Sequence, residues 1–313
     1  MTRTATAFFA AATIVLAAAP LHAQEAYTHE IKLQKGDAFA VKRSQDLLID
    51  QKMMGMTMKV TNQSNAVWSY SVLDVEADGT AQIQVTVLSM AMNLENPMIK
   101  IKFDSSAGAA PTTPEERMVQ GFVGQTFFIR LSKAGEALDV VGAEAIPEAA
   151  FAAAQFPEAN MMAPMLKAEF ASAFTADSLK KFHTNYFGGY DGRQLKAGET
   201  WTVEEPSEQM NMHSLSKVTY TVAESTAGLL DVASSVTLSP DSNAPAGSMG
   251  GLTGTGSGVT QIHLASGLPV LTTGTGAFSS TVTTQGMTVG LNITSSERAE
   301  LRPTAGALLG LLK

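Results

Sequence analysis

Alternation of apolar and polar residues constrains this chain more than any other feature. Trp68, Tyr70 and Val72 alternate with Ser69 and Ser71. After a turn at Ala77-Asp78-Gly79, Ile83, Val85 and Val87 alternate with Gln84 and Thr86. Successive side chains of a strand point to opposite faces, so this pattern predicts an antiparallel hairpin with one dry and one wet face. Residues 98–103 (MIKIKF) alternate in the same way, as do Phe127, Ile129 and Leu131 before the turn at Ala134-Gly135. From residue 144 to about 182 the period changes. Phe151, Phe156, Met162, Met165, Leu166, Phe170 and Phe174 fall at helical spacing, with Pro147, Pro157 and Pro164 among them. A proline inside a helix removes a donor and clashes with the preceding turn, so several short helices are expected there.

The β pattern then resumes in its earlier order. LQKGDAFAV at 33–41 is echoed by LKAGETWTV at 195–203, Trp68-Ser-Tyr70-Ser-Val72 by Val218-Thr-Tyr220-Thr-Val222, and Ile129-Arg-Leu131 by Ile262-His-Leu264. Three blocks in conserved order predict a diverged internal repeat. The fold class expected is α+β and mostly antiparallel β: two related β-rich halves, as a curved sheet or half-barrel, joined by a central helical segment. The boundaries drawn are 24–143 for the first half, 144–190 for the helical segment, 191–302 for the second half and 303–313 for a tail. The run GSMGGLTGTGSG at 247–258 reads as a flexible loop feeding a strand at Val259, because glycine punctuates local structure. It does not read as a phosphate loop, since it lacks the lysine-serine pair and does not open a helix.

The first 23 residues carry a different message. Arg3 precedes an apolar run over residues 5–19, and Pro20, Leu21, His22 and Ala23 form a small-residue cleavage pattern. This predicts a signal peptide cut after Ala23 and a periplasmic or secreted protein. The run is shorter than the roughly 20 residues a bilayer requires, so no transmembrane anchor is expected. Cysteine is absent, which excludes disulfides and thiol chemistry and leaves stability to packing. Without Arg3, 20 basic residues face 29 acidic ones, a net charge of −9. With no basic run, nucleic acid is not an expected partner.

Residues suited to chemistry are sparse. His29, His183, His213 and His263 stand outside metal-ligand spacing of one another, and no nucleophile elbow or paired carboxylate is recognisable. Glu115-Glu116 after Thr113-Pro114 reads as the acidic first turn of a short helix. No catalytic residue, metal site or cofactor is predicted.

LQKGDAFAV, YSVLDVEADGTAQIQVTV at 70–87, MAMNLENPMIKIKFDS at 90–105 and LKAGETWTV resemble the bacterial envelope family known as domain of unknown function 6263. The resemblance implies a secreted or lipid-anchored β-rich protein with no assigned activity and no catalytic residues to carry over. The anchor cysteine is missing here.

One stretch stands apart, QKMMGMTMKV at 51–60, where four of the chain's 16 methionines fall within six residues. With a hairpin tip at Gly55, Met53 and Met54 close one strand while Met56 and Met58 open its partner, and Met90 and Met92 form a second pair at period two. Three readings compete. Methionine fills irregular core gaps. It also lines grooves that accept apolar ligands, as a curved sheet closed by helices would in the manner of half-barrel lipoprotein carriers. Thioethers can bind copper(I), although histidine or cysteine assistance is missing nearby. The candidate ligand-binding residues are Met54, Met56, Met58, Met90 and Met92. The function expected is non-catalytic binding or envelope maintenance, with an apolar small molecule or lipid as partner. The alternative is a hydrolase or isomerase whose polar residues, with His183, Tyr186 and Tyr190 first among them, converge only in three dimensions.

Overall fold

The structure is a computed structural model that describes residues 26–303, apart from 54–55, 98, 158–159, 161–162, 189, 191–192, 210–211, 224, 245–249 and 285–286. The expected signal peptide, nearly all of the tail and Met54 lie outside the described residues. The chain runs β1 (Tyr27–Thr28), β2 (Ala38–Met53), β3 (Met56–Val75), β4 (Ala81–Glu95), β5 (Lys100–Asp104), α1 (Pro114–Gly121), β6 (Thr126–Leu131) and β7 (Ala137–Val141). The helical segment follows as α2 (Ala145–Ala154), α3 (Ala163–Ala173) and α4 (Ala176–Phe187). Then come β8 (Gln194–Leu195), β9 (Thr200–Gln209), β10 (Met212–Val222), β11 (Leu229–Pro240), β12 (Thr253–His263), β13 (Pro269–Thr284) and β14 (Met287–Pro303).

Twelve strands form one large curved open sheet in the order β7-β6-β4-β3-β2-β14-β13-β12-β11-β10-β9, with β5 paired to β4. Every neighbouring pair is antiparallel. The two halves are successive meanders joined by the helical segment, and β14 returns to pair with β2 along most of its length, from Val289 opposite Met53 to Pro303 opposite Phe39. Among the described residues no helix is long and apolar enough to cross a membrane.

The echoed sequence blocks adopt the same local geometry. Gly36 and Gly198 both take positive φ, 91° and 81°, a conformation open to glycine at no steric cost. The Gly36 N–H donates to Val72 O (2.9 Å) and the Val72 N–H to Asp37 O (2.8 Å); Gly198 and Val222 repeat this exchange at 2.8 Å, with Val222 N–H to Glu199 O at 2.9 Å. Phe39 then stacks on Tyr70, and Trp201 on Tyr220, each at 5.0 Å between ring centroids. The third pair of blocks falls on β6 and β12, each separated from its half's opening hairpin by one strand.

Helix starts follow the chemistry expected of them. Thr113 and Glu116 form a reciprocal capping box at α1, and Thr175 Oγ1 accepts the Ser178 N–H at α4. Pro147 and Pro164 both sit in the first turn of their helices, where a missing N–H costs nothing. The helices cover the inner face of the first half. Phe187 packs edge-on against Phe39 and Tyr70, His183 lies among Trp68, Tyr70 and Phe127, and Phe122 contacts Phe170 and Phe174. Burying each such aromatic contributes roughly 1.5–3 kcal/mol, and among the described residues this cluster is the largest.

One expectation needs correcting. The glycine run feeds no strand at Val259, because β12 already begins at Thr253, and Gly254, Gly256 and Gly258 lie inside it. Thr253, Thr255 and Ser257 alternate with these glycines, so the stretch keeps period two with one face bare of side chains.

Candidate functional site

Register fixes which side chains share the inner face, and cross-strand partners fall into rows. One row runs Val60, Ile49, Ile293, Phe278, Gly254 and Leu238 across β3, β2, β14, β13, β12 and β11. It is an apolar belt, and Ile49, Leu238, Ile293, Phe278 and Val60 belong to one packed cluster. Two rows further in, Gln45, Glu297, Gly274, Gly258 and Ser234 face one another. Between these rows Ser295 pairs with Gly276, Gly276 with Gly256 and Gly256 with Val236. Gly256, Gly258, Gly274 and Gly276 thus form a two-by-two block on adjacent strands, where an ordinary sheet would carry four inward side chains.

Three glycines of that block, Gly258, Gly274 and Gly276, form the floor of a cavity of about 400 Å³, while Val236 covers Gly256. The cavity's far wall is Phe278 and Val236, and its near wall is Tyr70 with Phe182, Asn185 and Tyr186 of α4. Two charged side chains line it, Arg43 of β2 and Glu297 of β14, joined by a 2.7 Å hydrogen bond from Arg43 Nε to Glu297 Oε1. Both are partly exposed, 32% and 38%. The Arg43 guanidinium also lies 4.6 Å from the Phe182 ring centroid, a cation–π contact that holds its plane. On the other side of Arg43 and Phe182 a second hollow of about 100 Å³ is bordered by Ser64, Ala66, Trp68 and Met90.

The sheet is drawn tight beside the floor. A Cβ on Gly256 would sit 2.7 Å from Thr275 O and 2.8 Å from Val236 Cγ1, whereas on Gly274 it would find nothing nearer than Ser257 O at 3.6 Å. Gly256 is required by close approach of the neighbouring backbone. Gly274 is required by nothing but the space above it.

The structure divides the candidate methionines. Met56 and Met58 lie where β3 leaves the first hairpin, Met53 pairing with Met56, and Met56 is 64% exposed. Met90 and Met92 lie on β4 opposite Ala66 and Ser64, eight residues further along β3. Met92 is buried, and Met90 packs against the main cluster and borders the smaller hollow. The two pairs share a face but not a site.

His183, Tyr186 and Tyr190 do not converge on a pocket with an acidic neighbour. His183 is wholly buried: its Nδ1–H donates to Leu179 O at 2.7 Å, which leaves Nε2 to accept from the Tyr70 hydroxyl at 3.4 Å. Burial pushes its pKa down to about 4, so it is neutral at ordinary pH. Desolvation raises the Tyr70 and Tyr186 hydroxyls above the usual phenol range. Tyr190 belongs to a different cluster with Leu195 and Trp201. Among the described residues no three His, Asp or Glu side chains are grouped to hold a metal ion.

Residues 78–269 match a family of unknown function (DUF6263). The chain belongs to that family. The matched span runs from the first Asp-Gly turn through the helices to the start of β13, so it includes Gly256 and Gly258 but not Arg43 or Glu297. No curated protein matches the chain. A solved structure describing lipid–protein interactions in lipovitellin is similar over 87% of this chain at 11% identity and a TM-score of 0.45, with 26% of that chain covered. The chain thus spans about a quarter of the lipovitellin chain it matches. An outer membrane channel from Pseudomonas putida F1 is similar over 87% of this chain and 97% of its own, at 8% identity and a TM-score of 0.24. OccK7 from Pseudomonas aeruginosa gives 7% identity and a TM-score of 0.22 over 86% of this chain and 100% of its own. At such scores none of these carries a functional argument.

Proposed function

We propose that this member of the family is a non-catalytic binding protein that holds a small, largely apolar molecule on the inner face of its curved sheet. The N-terminal sequence supports a periplasmic or secreted setting for that role. One observation carries the reading: Gly258, Gly274 and Gly276 leave the inner face of β12 and β13 without side chains beneath walls of Tyr70, Phe182, Val236 and Phe278, and above Gly274 the space is open, with no atom nearer to a Cβ there than Ser257 O at 3.6 Å. The resulting space of about 400 Å³ lies in the lower part of the roughly 300–1,000 Å³ range of small-molecule pockets. Such sites combine apolar walls with a few placed polar groups, here Arg43, Glu297, Gln45 and Ser295. A strand glycine weakens its strand by about 0.5–1 kcal/mol relative to alanine, and at Gly274, where no neighbouring atom requires it, the retained hollow is the return on that cost.

The test is uptake of N-phenyl-1-naphthylamine, a neutral apolar dye that fluoresces out of water. Wild-type protein is expected to bind it saturably, and Gly274→Leu, whose side chain enters the cavity from a position with open space, is expected to bind it at least tenfold more weakly while melting normally. A well-folded Gly274→Leu protein that takes up the dye as the wild type does would sink the reading.

A further inference from the structure

We infer that the ligand is a single-chain amphiphile with an anionic head, a carboxylate or phosphate, seated on Arg43; this rests on the binding reading above. Arginine offers five N–H donors in a planar fork. In Arg43 the Nε–H is committed to Glu297 and the face of the guanidinium to Phe182. Among the described residues nothing bonds Nη1 or Nη2. The residue is thus oriented by two contacts with its bidentate edge unused, the arrangement that suits an incoming carboxylate or phosphate. Among the described residues it is the one cation lining the cavity.

A cationic head fits less well. Its charge would meet the Arg43 guanidinium, which already covers the Phe182 ring and already donates its Nε–H to Glu297 Oε1, the carboxylate a cation would need. Glu297 instead opposes an arriving anion, so it sets the strength of the site without being its anchor. The tail has a defined course. From Arg43 the cavity runs past Gln45 and over Gly258, Gly274 and Gly276 to its far wall at Phe278 and Val236. A cavity of about 400 Å³ with such walls has room for one acyl chain.

The experiment compares cis-parinaric acid, a fluorescent fatty acid, with its methyl ester. The wild type should bind the acid at least tenfold more tightly than the ester. Glu297→Gln should tighten the acid and leave the ester unchanged, because it removes a repulsive charge while keeping an acceptor for Arg43. The double variant Arg43→Gln/Glu297→Gln, which leaves no unpaired charge behind, should bind acid and ester alike. Inorganic phosphate alone should produce no saturable heat in calorimetry, since the head without a tail forgoes the apolar contacts. Equal wild-type affinities for acid and ester, weaker acid binding in Glu297→Gln, or tighter binding of dodecyltrimethylammonium than of dodecanoate would overturn the headgroup assignment while leaving the binding reading intact. Saturable phosphate binding without parinaric acid binding would make this a small-anion site and overturn the amphiphile. Binding of neither acid nor ester would remove the binding reading itself.

Discussion

Adding a single methyl group to the inward glycines of β12 and β13 distinguishes glycines kept for backbone approach from glycines kept for space. In Gly256→Ala the new Cβ lies within 3 Å of Thr275 O and of Val236 Cγ1. The first is a backbone atom of the paired strand and cannot turn aside. Overpacking of this kind costs about 1–3 kcal/mol, set against a gain of roughly 0.5–1 kcal/mol from replacing a strand glycine. In Gly274→Ala the nearest atom is Ser257 O at 3.6 Å, an ordinary contact, so only the gain remains. The two variants carry the same chemical change 18 residues apart, so the gain cancels between them and they should differ by the overpacking cost, about 1–3 kcal/mol, with Gly274→Ala at or above wild type. For a protein of this size that corresponds to several degrees in Tm at about 2–4 °C per kcal/mol. Urea unfolding reads it directly as a shift in midpoint at constant m-value. Equal midpoints, or a lower one for Gly274→Ala, would refute the claim that open space lies above Gly274.

His183 is neutral in the fold, with its pKa pushed down to about 4, and takes a proton near 6.5 when unfolded. Its contribution is fully present above pH 6.5 and is lost as pH falls toward 4, by on the order of 3 kcal/mol. His29, shifted downward by burial as well, acts in the same direction. Urea midpoints at pH 7 and pH 4.5 should differ markedly less in His183→Leu than in the wild type, and an unchanged difference would contradict the buried neutral imidazole. Among the methionines, Met56→Glu should alter stability by under about 0.5 kcal/mol, because the side chain is 64% exposed. Met92→Glu places a charge at a position 8% exposed and should cost about 3 kcal/mol or more; calorimetric melting of the two variants compares them.

Much of the sheet was legible because its patterns are local. Tyr70 and Val72, and Ile83 and Val85, announced their strands by alternation, and the repeated Gly-acid-x-aromatic order pointed to turns that share one set of hydrogen bonds at Gly36 and Gly198. The methionine pairs were read with the right period, yet position along the strand decides what they meet. Met56 leaves a hairpin end while Met92 enters the core. The cavity itself was hidden for two physical reasons. Glycine is read as a breaker, although Thr-Gly-Thr-Gly-Ser-Gly at 253–258 keeps period two and describes a strand with one empty face. Arg43 and Glu297 stand 254 residues apart, and their meeting depends on β14 returning to β2, a pairing for which neither strand carries a local signal.

The most direct test of the central claim is native mass spectrometry of protein purified without detergent, followed by solvent extraction of whatever it carries. The account predicts an adduct of one single-chain anionic amphiphile on the wild type and none on Gly274→Leu. Wild-type and Gly274→Leu proteins that both carry the same adduct, or a wild type that is bare and remains bare after incubation with fatty acid, would contradict it.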